Sequence, residues 1–387
     1  MDFNDFKNIV LGFLSEEQFE KSSSALENLI DSNYQLYIKL LLDTIQEIEN
    51  KRVFNASITL LQVEVIKKRI FSSSKLITEI IETLTPLFSK ILQSQNVQDN
   101  FKKIMAFVLA QLHIFVYHNS NNLDLPNYIL KIYDEIPEIR KYLTYFIFEV
   151  SISDEDLGGF NIEDLIKILT NSTKDESIYM SCVNLFFAMA TRRPDVQVLQ
   201  EIFPDLISSC PKSNLDEMLL SLSDYSEHSS SFLYPHLGPL VQRLCDLAID
   251  TEMSDSIRDK AMICLTSIGN GAPEMCQNTE EYYIPVFKTL IQIVSEINDE
   301  SPWEYDVNNT YPYQIALDSI SNLFEKYDNS KIFIPIYEMI MQILSEEEIP
   351  WQVAYACIST LSCINILIMW SIGEEKKIFY LKKFPLL

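Results

Sequence analysis

Histidines, cysteines and clustered carboxylates most often carry catalysis or bind metals, and this sequence has few usable sets of them. Its four histidines, His113, His118, His228 and His236, are scattered along the chain. His113 and His118 lie five residues apart, which places them on different faces of one helix. A shared metal ion needs its ligands on the same face, so we interpret each histidine as a core or surface residue.

The seven cysteines form no CxxC pair, and they lie among leucine, isoleucine and methionine at helical spacing. An odd count without a disulfide framework indicates reduced core thiols in the cytosol or the nucleus. The set is Cys182, Cys210, Cys245, Cys264, Cys276, Cys357 and Cys363.

The common catalytic and nucleotide-binding motifs are missing from the sequence. There is no GxxxxGK[ST] loop, no HExxH and no GxSxG, and Gly269-Asn270-Gly271 is a lone GxG without a third glycine. The acidic runs Asp154-Glu155-Asp156 and Glu346-Glu347-Glu348 are consecutive, which is typical of solvated turns and not of acid/base pairs. The sequence therefore predicts a protein that is not an enzyme and that uses no cofactor or metal.

The composition favours helices and a basic partner. Only seven of the 387 residues are glycine, well below the usual ~7%, so the tight turns of an all-β fold are poorly supplied. The 30 Lys and Arg against 55 Asp and Glu give a net charge of −25. Such a charge repels nucleic acid and anionic lipids and attracts basic segments.

One apolar pattern recurs along the chain. In the segment from Ile257 to Ile268 apolar residues stand at i, i+4, i+7 and i+11, which predicts one buried face of a helix. Gly269, Gly271 and Pro273 are predicted to end this helix. Further helices are predicted between these copies, and two helices in about 40 residues is the period of HEAT arrays. We therefore predict an all-α fold, an α-solenoid of about nine HEAT-type helix pairs over residues 1–365. Copies of the pattern begin at residues 19, 58, 97, 139, 178, 215, 257, 316 and 353.

The step from residue 257 to residue 316 is longer than the others and locates an insertion near 296–312. This insertion contains Trp303 and Tyr305 among several carboxylates. Long loops in compact arrays are often functional, and aromatic rings beside carboxylates suit an Arg or Lys side chain. A solvated acidic linker is the alternative interpretation.

Two segments near the C-terminus stand apart. Residues 353–373 carry no charge and are long enough to span a bilayer, but the first half is amphipathic, which favours a buried helix pair over a membrane anchor. Residues 366–387 are basic and apolar in an otherwise acidic chain. A solenoid normally ends in a polar capping helix, so we interpret 366–387 as an atypical tail and the chain as a truncated form.

An ordered set of motifs runs from about residue 248 to residue 365. It comprises Glu281-Tyr282-Tyr283-Ile284-Pro285, the acidic insertion with its Trp, Ala316-Leu317-Asp318-Ser319-Ile320, Phe333-Ile334-Pro335 and Pro350-Trp351. This order resembles the karyopherin-β (importin-β) family of nuclear transport receptors, and within it the importin beta-3 branch. A weaker likeness covers residues 6–69.

The resemblance implies a monomeric receptor that shuttles between cytoplasm and nucleus. It implies binding of the GTP form of the small GTPase Ran, of basic nuclear-localisation cargo and of nucleoporins, without direct contact to nucleic acid. A HEAT-repeat scaffold of a phosphatase or trafficking complex is the alternative, because it would use the same architecture. In relatives the acidic loop couples Ran to cargo, a role transferred here to Asp299, Glu300, Trp303, Glu304 and Asp306.

Overall fold

The structure is a computed structural model that describes residues 1–119, 124–154, 156–172, 175–297, 311–327 and 329–371. Within these residues the chain forms α-helices and short 3-10 turns and no strand. It divides into two compact units, Met1–Arg192 and Arg193–Leu387.

The described part of the first unit has nine helices. They are α1 (Phe3–Phe13), α2 (Phe19–Ile45), α3 (Lys51–Ile66), α4 (Ser74–Gln93), α5 (Asp99–Asn119), α6 (Leu125–Glu135), α7 (Arg140–Ser153), α8 (Ile162–Ser172) and α9 (Tyr179–Arg192).

The described part of the second unit has nine more. They are α10 (Gln197–Ser208), α11 (Leu215–Ser229), α12 (Leu237–Ile249), α13 (Asp255–Gly271), α14 (Pro273–Gln277), α15 (Glu280–Val294), α16 (Pro312–Lys326), α17 (Asn329–Leu344) and α18 (Trp351–Ser371).

A kink at Asn33 resolves these elements into helix pairs. Asn33 has φ −158° and ψ 79°, and its side chain accepts a hydrogen bond from the Leu36 amide at 3.0 Å, so α2 is two helices, 19–32 and 34–45. With the short α14 taken as a connector, the described residues form nine consecutive pairs. Every predicted copy of the apolar pattern lies on, or begins within two residues of, the second helix of a pair, which confirms the predicted all-α fold of HEAT-type pairs.

We call the first helix of each pair the A helix and the second the B helix. In the first unit the B helices α3, α5, α7 and α9 pack side by side in chain order. In the second unit α11, α13, α16 and α18 do the same, and the A helices α12, α15 and α17 form a layer behind them. Each B helix therefore keeps one outward side that faces neither its own pair nor its neighbours.

Gly269 has a different role from the one predicted. The sequence marks it as a helix terminator, but it lies inside α13 and is buried. A methyl group at this position would overlap the Leu323 side chain and the hydroxyl groups of Tyr282 and Tyr327. The Tyr282 hydroxyl donates a hydrogen bond to the Leu265 carbonyl at 2.5 Å. The missing side chain is thus what lets α13 approach α15 and α16.

Asp154 corrects a second expectation. Its acidic run was predicted to be solvated, but Asp154 is only 3% exposed and accepts a hydrogen bond from the Gly158 amide at 2.8 Å. His118 lies 3.2 Å from the same carboxylate, and the buried His113 ring contacts the Gly158 carbonyl at 2.8 Å. His113 is thus a core residue and His118 a surface residue, which confirms the prediction for both, and the two rings lie beside the same loop.

The cysteines agree with the predicted core thiols. None of the seven forms a disulfide; five of them are buried and the other two are half-buried. Burial raises the pKa of the Cys245 thiol to about 11, which keeps it protonated at neutral pH.

The C-terminal apolar stretch forms one helix, α18, and not the predicted pair. No proline or glycine interrupts residues 351–371, so nothing in this stretch breaks the backbone hydrogen bonding. Across the described ranges we find no helix with the length and hydrophobicity that a membrane crossing requires.

Candidate protein-interaction surface

The outward sides of α11, α13 and α16 form a surface rich in carboxylates, which we call the acidic face. None of its carboxylates forms an ion pair with a described residue. Uncompensated charges held at the surface attract a partner of opposite sign. The acidic face comprises Glu217, Asp224, Glu227, Asp255, Asp259, Asp318 and Glu325.

Helical spacing explains why these side chains share one surface. On α13 the apolar residues Ala261, Cys264 and Ile268 are fully buried, and the positions rotated away from them point outward. Asp255 is exposed and Asp259 is half-buried on this outward side. Asp259 follows the first residue of the repeated pattern on α13 by two positions. Glu217 on α11 and Asp318 on α16 follow the first residue of their copies by the same two positions.

Arg258 holds α13 in position. It is only 5% exposed, and its guanidinium donates to both carboxylate oxygens of Glu296 at 2.5 and 2.6 Å. Its Nε donates to the Ala248 carbonyl at 2.9 Å. Paired contacts of this kind fix orientation as well as distance, so Arg258 links α13 to the ends of α12 and α15.

Lys260 does not neutralise the acidic face, because it is already paired. Its ammonium contacts Asp216 on α11, and Ser256 donates a second hydrogen bond to the same carboxylate at 2.8 Å. These contacts lower the pKa of Asp216, chiefly through the hydrogen bond from Lys260. The pair joins α11 to α13 at the edge of the face.

Asp259 is the most unusual carboxylate of the acidic face. Its Oδ1 atom is buried and has no hydrogen-bond partner among the described residues. Burial, and next the negative charge of Asp255, raise the pKa of Asp259 to about 6, against a weaker opposing effect of Arg258. An ammonium or guanidinium group from outside would supply the missing partner and favour the ionised form.

Exposed apolar side chains accompany the carboxylates. Leu220 on α11 is 49% exposed and Ile263 on α13 is 43% exposed. On the neighbouring α18, Trp351 and Ile358 are 41% and 61% exposed. Apolar anchors supply contact energy while charges supply steering and selectivity, so the surface suits a segment that is both basic and apolar.

The predicted site residues Asp299, Glu300, Trp303, Glu304 and Asp306 lie outside the described residues. The acidic face itself could be anticipated only in part from the sequence. Its charges come two or three per helix from helices that lie about 40 to 60 residues apart in the sequence, and only the outward register of the repeated pattern connects them.

Comparison with known proteins identifies the fold. The sequence matches no protein-family model and no curated protein. Among solved structures, Kap121p bound to Nup53p matches 96% of this chain with a TM-score of 0.77 and 17% identity. The karyopherin Kap121p bound to the SUMO protease Ulp1p matches 94% with a TM-score of 0.77 and 16% identity. The chain has a karyopherin fold.

The likeness covers only part of the longer proteins. This chain spans 37% of the Kap121p chain bound to Nup53p and 36% of the one bound to Ulp1p. A third structure, Kap121p bound to the extreme C-terminus of the protein phosphatase Cdc14p, matches 98% of this chain and 38% of its own length, with a TM-score of 0.77 at 16% identity.

Proposed function

We propose that this chain is a non-enzymatic transport receptor of the karyopherin type that binds basic segments of cargo proteins on its acidic face. The observation that carries the proposal is the coincidence of a karyopherin fold over 96% of the chain with a surface of carboxylates that have no ion-pair partner among the described residues. A Lys- or Arg-rich segment matches that surface in charge, and exposed apolar residues beside it suit the stems of the same side chains.

The partners named for the solved structures support cargo binding. Kap121p is bound to Nup53p in one, to Ste12p in another and to Pho4p in a third. We extend this to cargo proteins and nucleoporins as partners of the present chain and to shuttling between cytoplasm and nucleus. The order of motifs between residues 248 and 365 supports the importin beta-3 branch and Ran-GTP as a further partner.

Binding to Ran is tested by a pull-down with Ran loaded with GTP or with GDP. We expect the chain to retain Ran-GTP well above Ran-GDP, because a receptor that exchanges cargo between compartments must respond to the nucleotide. Beads without the chain serve as the control for retention. Equal retention of both forms, together with binding of a phosphatase or trafficking subunit, would favour the HEAT-repeat scaffold instead.

Cargo binding should depend on pH through Asp259. Its pKa of about 6 lies above that of an ordinary carboxyl group, so in the free protein ionised Asp259 costs stability, and this cost appears as pH rises through that value. A bound ammonium group lowers the pKa and releases a proton. We expect the affinity for an oligolysine peptide to rise from about pH 5 to about pH 7 and then to level off.

Titration calorimetry in buffers of different ionisation enthalpy measures this proton release directly. In Asp259→Asn the released proton and the steepest part of the pH dependence should both be lost. Glu201→Gln on the A helix α10 removes a carboxylate from an exposed position elsewhere in the same unit. If both variants keep the full pH dependence, Asp259 does not contact the ligand.

A further inference from the structure

The first unit carries a cluster of cations that the acidic face does not explain. Lys102 and Lys103 lie near the start of α5, and Lys141 lies in the first turn of the adjacent B helix α7. In a chain with a net charge of −25, three lysines on two contacting helices form a local positive field of the opposite sign. We call Lys102, Lys103 and Lys141 the lysine cluster.

Two tyrosine rings hold the lysine cluster in place. The Lys102 ammonium lies 5.3 Å and the Lys141 ammonium 4.9 Å from the centroid of the Tyr142 ring. The Lys103 ammonium lies 5.9 Å from the centroid of the Tyr145 ring. Contacts of this length are attractive cation–π interactions, so the cluster is a packed arrangement and not a set of freely moving side chains.

One carboxylate serves the whole cluster. Asp99 accepts a hydrogen bond from Lys141 at 2.6 Å and another from the Tyr142 hydroxyl at 2.5 Å. Lys103, by contrast, is exposed and forms no ion pair with a described residue. Three cations against one anion leave two positive charges uncompensated.

The imbalance of charge in the lysine cluster has its largest energetic cost at Lys102. The residue is only 8% exposed, and it has no hydrogen bond or ion pair among the described residues. Partial desolvation of its ammonium group, with no hydrogen bond or ion pair from the described residues to offset it, disfavours the charged form. Burial lowers the pKa of Lys102, although the nearby Asp99 charge opposes this shift. A bound anion would raise this pKa and stabilise the charged form.

The outward side of α7 continues from the lysine cluster as an apolar stripe. Tyr145 and Phe148 are half-buried, with ring centroids 6.1 Å apart, and Ile152 is 41% exposed. Together with Lys141 they stand at i, i+4, i+7 and i+11, one side of the helix. On α5 the half-buried Phe107 follows Lys103 by one turn. The surface is therefore cationic at one end and apolar along the rest.

We propose that this surface, defined by the lysine cluster and by Phe107, Tyr145, Phe148 and Ile152, binds an acidic amphipathic segment of a partner protein. Carboxylates of that segment pair with Lys102 and Lys103, and its apolar residues cover the stripe on α7. This partner is opposite in charge to the basic cargo proposed for the acidic face, so the two proposals are independent.

The test uses the full chain and a fluorescein-labelled peptide with a glutamate-rich half followed by a leucine-containing half. Fluorescence anisotropy should show saturable binding that weakens about tenfold in Lys103→Glu, because the substitution places a like charge opposite the peptide carboxylates. Lys131→Glu is the matched control: it makes the same change at an exposed lysine of α6, in the same unit.

A second variant separates ligand binding from a structural role. Lys102→Met keeps the length of the side chain and removes the partly desolvated charge, so we expect an unchanged or higher melting temperature together with weaker peptide binding. Equal affinities for Lys103→Glu and Lys131→Glu would overturn the proposal. So would full competition by inorganic phosphate or by an oligonucleotide, because the site would then be a general anion site and not a docking surface for a protein segment.

Discussion

Replacing Asp224, Asp255 and Asp318 together by lysine is expected to weaken the binding of a lysine-rich peptide by about 100-fold. Exposed charge pairs contribute about 0–1 kcal/mol each, and reversal adds repulsion to the lost attraction. About 1 kcal/mol at each of three sites gives roughly 3 kcal/mol, which corresponds to about two powers of ten in the dissociation constant. Anisotropy or calorimetry with a labelled peptide at moderate ionic strength measures the change.

A second triple variant controls for net charge. Glu201→Lys, Asp246→Lys and Glu338→Lys make the same three reversals at exposed positions of the A helices α10, α12 and α17. This variant should lose only the small, salt-sensitive part of the affinity that comes from long-range attraction. If both triple variants lose the same affinity at all salt concentrations, the acidic face is not the binding surface.

The substitution Gly269→Ala is expected to lower the free energy of unfolding by about 1–3 kcal/mol, the usual cost of overpacking a core. In an exposed helix the same change raises the free energy of unfolding by about 1 kcal/mol. Whether this free energy rises or falls therefore shows whether the position is tightly packed. The added methyl group must displace Leu323, Tyr282 or Tyr327. Urea unfolding followed by circular dichroism measures the shift in midpoint.

Gly238→Ala provides the comparison for this measurement. A methyl group there would meet only the Glu281 Cβ atom at 3.9 Å, which is ordinary contact, so we expect no loss of stability. Gly269→Ala should also weaken peptide binding, since it pushes α13 away from α16 and separates Asp255 and Asp259 from Asp318. A stable Gly269→Ala variant would mean that α13 and α16 do not pack as closely as described.

The two B-helix surfaces differ in chemistry although they arise from the same repeated pair. In the second unit the outward positions carry Asp255, Asp259 and Asp318, whereas in the first unit they carry Lys103 and Tyr145. A HEAT repeat fixes which positions are buried and leaves the outward ones free to vary. Copies of one structural unit can therefore present surfaces of opposite charge.

Much of the fold could be predicted from the sequence because the same apolar helix pattern recurs in each repeat. The apolar period of 3.6 residues and the 40-residue spacing are local properties, so they located all nine B helices without any long-range information. Predictions that depended on a single residue were less accurate. Gly269 looked like a helix end, and Asp154 looked like part of a solvated turn.

What the tertiary structure alone decided concerns contacts between residues far apart in the chain. The role of Gly269 depends on Leu323 and Tyr327, more than 50 residues away, and the buried Asp154 carboxylate lies 3.2 Å from His118, which comes from a different helix. The missing partner of the Asp259 oxygen and the uncompensated Lys102 are likewise properties of the packed helices. A sequence pattern reports which side of a helix is apolar, but the desolvation and pairing of a charge depend on which neighbours the fold brings to it.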